Sequence, residues 1–167
     1  RNARKMVIGA FLNISALTDW LLKQDDNVLL LCSGWKDKFN LEDSVFAGAV
    51  MDKLLESGKF GVEEDSSIAA KYLYMAAKEN YLSILKAAPR RKRLEQLRLF
   101  DDVKFCLTPD QSRVIPELKD GVLVQPSVGS SSHAAFQLAV VVSGLPWPLF
   151  HDAMAPWLAP PPPPALC

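Results

Sequence analysis

The chain has 167 residues, 49% of them hydrophobic, and its 19 basic and 19 acidic side chains cancel at neutral pH. That is enough length for one domain with its own core, and the lack of net charge argues against nucleic acid or an anionic membrane as a partner. Three widely spaced cysteines (Cys32, Cys106 and Cys167) indicate neither a disulfide framework nor a zinc set, and no run of about 18 apolar residues offers a membrane span.

The averages conceal a break. Asp152 is the one charged side chain after Asp120, nine of the 12 prolines follow Gln125, and both histidines, His133 and His151, lie in the same stretch. A solvated surface needs charge. Residues 1–124 therefore read as a soluble domain, and residues 125–167 as an anomalous proline-rich tail that resembles a read-through or mis-spliced extension. The opening RNARKMVIGAFLN reaches a core-like run within five residues, so the expectation is a piece of a longer chain, in a reducing cytoplasmic setting.

Taken in order, Met6–Ala10 is a short continuous apolar run, as in a strand covered on both faces. A helix follows from Ile14 to about Lys23, with Asn13 or Ser15 as its cap and Ile14, Leu17 and Leu21 on one face. Val28–Cys32 is a second run of the buried-strand type. A single helix between two such runs predicts adjacent parallel strands joined by a right-handed crossover. Asn40 caps the next helix, Leu41 to about Ser57, whose Leu41, Val45, Gly48 and Ala49 form a narrow face suited to packing on a sheet, with Gly58 ending it. Asp65 or Ser66 caps a longer helix to about Lys86, with Ile68, Tyr72, Met75, Ala76 and Leu82 inward, and Pro89 stops it. Arg90–Arg98 reads as a short basic helix and Val103–Leu107 as an alternating edge strand. Val114–Leu118, followed by Lys119-Asp120-Gly121-Val122, reads as a strand and turn. Ala134–Val142 is either a strand or a short helix, and the prolines from Pro156 onward favour an extended, poorly ordered end. The order predicts an α/β fold: three layers, a largely parallel sheet flanked by helices, as a partial domain.

The site candidates cluster at strand ends. In open α/β sheets ligands collect beyond the carboxyl ends of strands, and Cys32-Ser33-Gly34 is such an end, with Glu42 and Asp43 opening the next helix. Their bland role is to complement the helix dipole, at about 0.3–1 kcal/mol each. Their functional role is to hold a hard cation, Mg²⁺, with no His or Cys set competing. Asn13 occupies the matching place after the first strand, where capping is its ordinary role. Cys32 reads as a buried inert thiol. The run Arg90-Arg91-Lys92-Arg93 reads as a solvated helix face, since no aromatics interleave as single-strand binding requires.

Four stretches in order, VIGAFLNISAL, LLLCSGWKDKFNLEDSVFAGAVMDKL, DSSIAAKYLY and DVKFCLTPDQSRVIPELKDGVLV, resemble the C-terminal half of the 2-phosphosulfolactate phosphatase (ComB) family over residues 4–124. The resemblance implies an α/β, Mg²⁺-dependent phosphoric monoester hydrolase releasing sulfolactate from 2-phosphosulfolactate, a step best known from coenzyme M biosynthesis. By position it places the family's post-strand Asn on Asn13, its Cys-Ala-Gly turn on Cys32-Ser33-Gly34 and its Leu-Glu-Asp helix start on Leu41-Glu42-Asp43. Asn13, Ser33 and Gly34 then stand as substrate-binding candidates, and Glu42 and Asp43 as metal candidates. The implied partner is a small phosphorylated sulfonate; no nucleic acid or membrane is expected, and self-association stays open. The family's N-terminal segments have no counterpart in these stretches. The competing expectation is therefore a catalytically inactive fragment that acts, if at all, by association.

Overall fold

The computed structural model describes residues 5–34, 38–83, 100–125 and 137–142. Helices and strands alternate along most of it. Strand β1 (Lys5–Gly9) leads through a short 3-10 turn at Phe11–Asn13 into α1 (Ile14–Leu21), and β2 (Asn27–Cys32) precedes α2 (Leu41–Glu56) and α3 (Asp65–Ala77). Helix α4 (Phe100–Cys106), the hairpin β3 (Glu117–Lys119) and β4 (Val122–Val124), and finally β5 (Gln137–Val142) complete the order. The basic segment Arg90–Arg98, the stop at Pro89 and the end from Pro156 lie outside the described residues. Among the described residues no helix is long and apolar enough to cross a membrane.

The five strands form one mixed sheet in the order β2-β5-β1-β3-β4. β5 runs parallel to both β1 and β2, whereas β1–β3 and β3–β4 are antiparallel. The expectation of adjacent β1 and β2 is corrected here. They are parallel but not neighbours, because the apolar, β-branched run QLAVVV enters from the far end of the sequence and pairs with each. This position also settles residues 137–142 as strand. β2 is then an edge strand and not the fully buried one expected: its exposure alternates over the first residues, and Leu29 is 51% exposed.

The core joins Val7 of β1, Phe11, Leu17 and Leu21 of the first crossover, and Phe46 and Val50 of α2. Phe11 meets Phe46 edge-on at 5.2 Å and Tyr81 at 4.5 Å, arrangements that aromatic quadrupoles favour. In the narrow face of α2, Val45 and Ala49 join the core with Val7 of the sheet, and Gly48 alone serves a different neighbour from the one the sequence suggests. A Cβ on Gly48 would collide with Ala70 O and Tyr74 Cβ, so that glycine admits the backbone of α3 and not of the sheet. That contact chooses the inward face of α3: Leu73, Tyr74 and Ala77 pack on the core, while Ile68, Tyr72, Met75 and Ala76 are exposed, against expectation. The cap of α3 is Glu64, one residue earlier than expected and without a side-chain bond.

Val103–Leu107 is corrected from edge strand to helix. Asp101 and Asp102 lie in the first turn, where they complement the dipole. Buried Val103 and core-facing Leu107 are one helical turn apart. Over five residues VKFCL fits either period, and the i, i+4 contact decides. The hairpin turn is as read: Asp120 (φ 50) and Gly121 (φ 79) both adopt positive φ, the two-residue geometry that Asp-Gly favours.

Candidate functional site

Because β1, β5 and β2 are parallel, their carboxyl ends share one edge of the sheet, and the candidate residues lie in the turns and the helix start that follow β1 and β2. At the end of β2, Gly34 has φ 70, and a Cβ there would stand 2.7 Å from Lys38 O. Left-handed backbone against a carbonyl is a place for glycine. The turn is fixed from the next helix. Asp43 is 0% exposed, and its Oδ2 accepts from Gly34 N at 2.8 Å and from Ser33 Oγ at 3.2 Å. Its Oδ1 accepts from Asn40 Nδ2 at 2.7 Å. Asn40 is the N-cap expected, with Oδ1 accepting from Glu42 N at 3.2 Å. One carboxylate thus gathers a backbone donor, a hydroxyl and an amide, which is how a buried charge is tolerated.

Glu42 is buried beside α4, where its charge, after burial and Asp102, pushes the Cys106 thiol upward. Cys32 is pushed up to about 11 by burial first and the nearby Asp43 charge second, against an opposing hydrogen bond from Ser44. A thiol so placed is protonated at neutral pH and is no nucleophile.

At the end of β1, Asn13 starts α1 without capping it through its side chain. Its amide works across the chain: Oδ1 accepts from Ala10 N at 2.9 Å, and Nδ2 donates to Ile8 O at 3.2 Å and Val114 O at 2.8 Å. Asp110, which the sequence reading passed over, caps α1 instead. It accepts from Ser15 N at 2.9 Å and Ser15 Oγ at 2.8 Å, from a backbone with φ 59. Ser112 N donates to Leu12 O at 2.8 Å, so the 108–114 loop, which includes the exposed Arg113, is tied to the β1 end. The turn-forming residues Thr108-Pro109-Asp110 could have marked a loop there but not its distant partner.

The structure therefore brings Ser33, Gly34 and Asp43 together, sets Glu42 next to Asp43 in the chain with its charge acting on Cys106 of α4, and places Asn13 at the end of β1, two strands from β2. It also spends most of their polar groups on holding the loops. Among the described residues no group of three or more His, Cys, Asp or Glu gathers as a metal set. The Asp43 oxygens already accept from three protein donors, and Mg²⁺ takes one or two carboxylates with water filling the rest of an octahedral shell.

The comparisons agree on one family. A model described as 2-phosphosulpholactate phosphatase matches residues 1–121. The chain is similar to a probable 2-phosphosulfolactate phosphatase of Caldanaerobacter subterraneus subsp. tengcongensis, at 34% identity over 73% of this chain and 50% of that protein. Proteins of the same printed name from a Synechocystis strain (34% identity, 74% and 52%) and from Thermotoga petrophila (34%, 73% and 52%) are similar to the same extent. The chain spans about half the length of the curated relatives it matches.

Proposed function

The chain belongs to the 2-phosphosulpholactate phosphatase family, and on that premise we propose that it carries the C-terminal half of an enzyme hydrolysing 2-phosphosulfolactate to sulfolactate and inorganic phosphate. The observation that carries the reading is the match over residues 1–121, which contains both strand-end loops and every residue that fixes them. The relatives' printed names supply the substrate.

In such a hydrolysis water adds to phosphorus, the bridging P–O bond breaks, and the sulfolactate hydroxyl leaves with a proton. Uncatalysed, phosphate monoesters are among the slowest substrates known, so the enzyme must present fixed charges and dipoles to the transferring group. This chain's part is to hold the frame. Asp43 and Asn40 lock the Ser33-Gly34 turn, Asn13 and Asp110 lock the β1 end, and Arg113 offers an exposed cation at the same edge for an anionic group. Magnesium belongs to the reading as a common companion of phosphate chemistry in oxygen-rich sites. Glu42 and Asp43 are the carboxylates this chain would offer it, with water in the remaining positions, and no step is assigned to a metal. Free, unlinked Cys32 and Cys106 suit a reducing cytoplasm, and the three-layer, largely parallel sheet belongs to the same proposal for the whole enzyme.

A second reading, an inactive fragment, is favoured by one observation: the chain spans about half of its relatives. The two separate in one assay. The unmatched portion of the Caldanaerobacter protein is joined ahead of this chain, and phosphate release from 2-phosphosulfolactate is measured with and without Mg²⁺. Release well above that of the chain alone supports the enzyme reading. Background release from the joined protein gives the fragment reading the case.

A further inference from the structure

β1 and β2 flank β5 at the same level: Val7 and Leu30 both pair with Val140, and the ladders run from Lys5 to Gly9 on one side and from Asn27 to Cys32 on the other. With strands spaced about 4.8 Å apart, β1 and β2 stand about 10 Å from each other, one strand too far to bond directly. The strand between them lies at 137–142, beyond the family match, which ends at residue 121. The matched region by itself therefore contains β1, α1 and β2 around an unfilled gap. Rows of backbone N–H and C=O groups line both sides of it, and α2 packs over it, since Phe46 lies against the Gly9 position. Covered backbone groups must be paired.

From this we infer that the gap is a strand-docking slot of the family fold, filled here by residues 137–142 and in the relatives by a strand from the half of their length that this chain does not match. The family match over residues 1–121 contains the β1–α1–β2 region, and the relatives have half a chain available to fill the slot. The occupant is defined by chemistry. It is an uncharged apolar strand of about six residues, parallel to both neighbours, and it arrives by a long crossover because parallel partners cannot be joined by a tight turn. Residues 137–142 and that family strand compete for one place, so the other half docks by displacing the tail, readily when it is joined to this chain and less so as a separate piece. The inference rests on the family match and the strand order, and its readout is pairing, not phosphate release.

Two experiments test it. In the intact Caldanaerobacter protein, a crystal structure should show one parallel strand from the unmatched portion between the strands equivalent to Lys5–Gly9 and Asn27–Cys32. Direct pairing of those two strands overturns the inference. In the full chain, Val140→Pro removes a ladder donor and Val140→Ala does not. The proline variant should lose at least tenfold of the hydrogen-exchange protection at Asn27–Cys32, whose ladder partner is β5. Co-expressed with the relative's unmatched portion, it should retain at least tenfold more of it than wild type or Val140→Ala. Equal retention by all three overturns the competition, and if the proline variant loses its helical signal, the crystal structure decides.

Discussion

Replacing Asp43 with Asn keeps the shape of the side chain and exchanges an oxygen acceptor for a donor, at a site that is 0% exposed. Three donors now meet one carbonyl oxygen. If that oxygen faces Gly34 N and Ser33 Oγ, the new NH₂ confronts Asn40 Nδ2, which stood 2.7 Å from the carboxylate. If Asn40 flips to accept it, its own NH₂ turns on Glu42 N and the helix cap is lost. Either way one buried donor goes unpaired, at a cost of about 1–3 kcal/mol. The double substitution Asn40→Asp with Asp43→Asn repairs the pattern. The carboxylate introduced at the cap position accepts from the new amide and from Glu42 N, and the oxygen of that amide serves Gly34 and Ser33. We expect urea denaturation to show the single variant with a lower midpoint at unchanged m value, and the double variant restored to within about 1 kcal/mol of wild type, the difference being lost charge assistance. A single variant as stable as wild type, or a double variant no better than the single, refutes the hydrogen-bond reasoning.

Gly48→Ala forces a methyl group onto Ala70 O and Tyr74 Cβ, so thermal or urea unfolding should show a loss of about 1–3 kcal/mol from overpacking; no change would mean that α2 and α3 are not in this contact. Asp110→Ala removes the cap of α1 and should cost about 0.5–2 kcal/mol, while Asp110→Asn, which tolerates positive φ and keeps an oxygen for Ser15 N, should cost less; equal losses contradict the capping role. Cys32, with its folded pKa raised from 9.0 to about 11, binds a proton in the folded state that the unfolded chain releases. Its contribution to stability is therefore complete below pH 9 and lost as pH rises toward 11. Unfolding midpoints of wild type and Cys32→Ser should diverge in that window, and parallel pH profiles would contradict the shift.

The features legible in the sequence were those set by neighbours in the chain. Continuous apolar runs gave β1 and β2, Asn40 marked the start of α2, and Asp120-Gly121 marked the hairpin. What stayed hidden is set across distance. No local pattern says that residues 137–142 pair between β1 and β2, or that Asp110 caps a helix through Ser15, 95 residues earlier. The face of α3 was misread because size and hydrophobicity pointed one way while the close approach at Gly48 fixed the other. At the site, adjacent acids in a first turn announced the helix start. Nothing in their spacing showed Asp43 turned back on Ser33 and Gly34, because that depends on where β2 ends relative to α2.

Phosphate release from 2-phosphosulfolactate by the joined protein, compared among wild type, Asp43→Asn and the Asn40→Asp with Asp43→Asn pair, tests most directly whether the loop at the β2 end borders the active site. A loop held in place by this carboxylate should give a single variant at least tenfold slower than wild type and a double variant that recovers most of the rate. A single variant with full activity, under conditions where it stays folded, would contradict it.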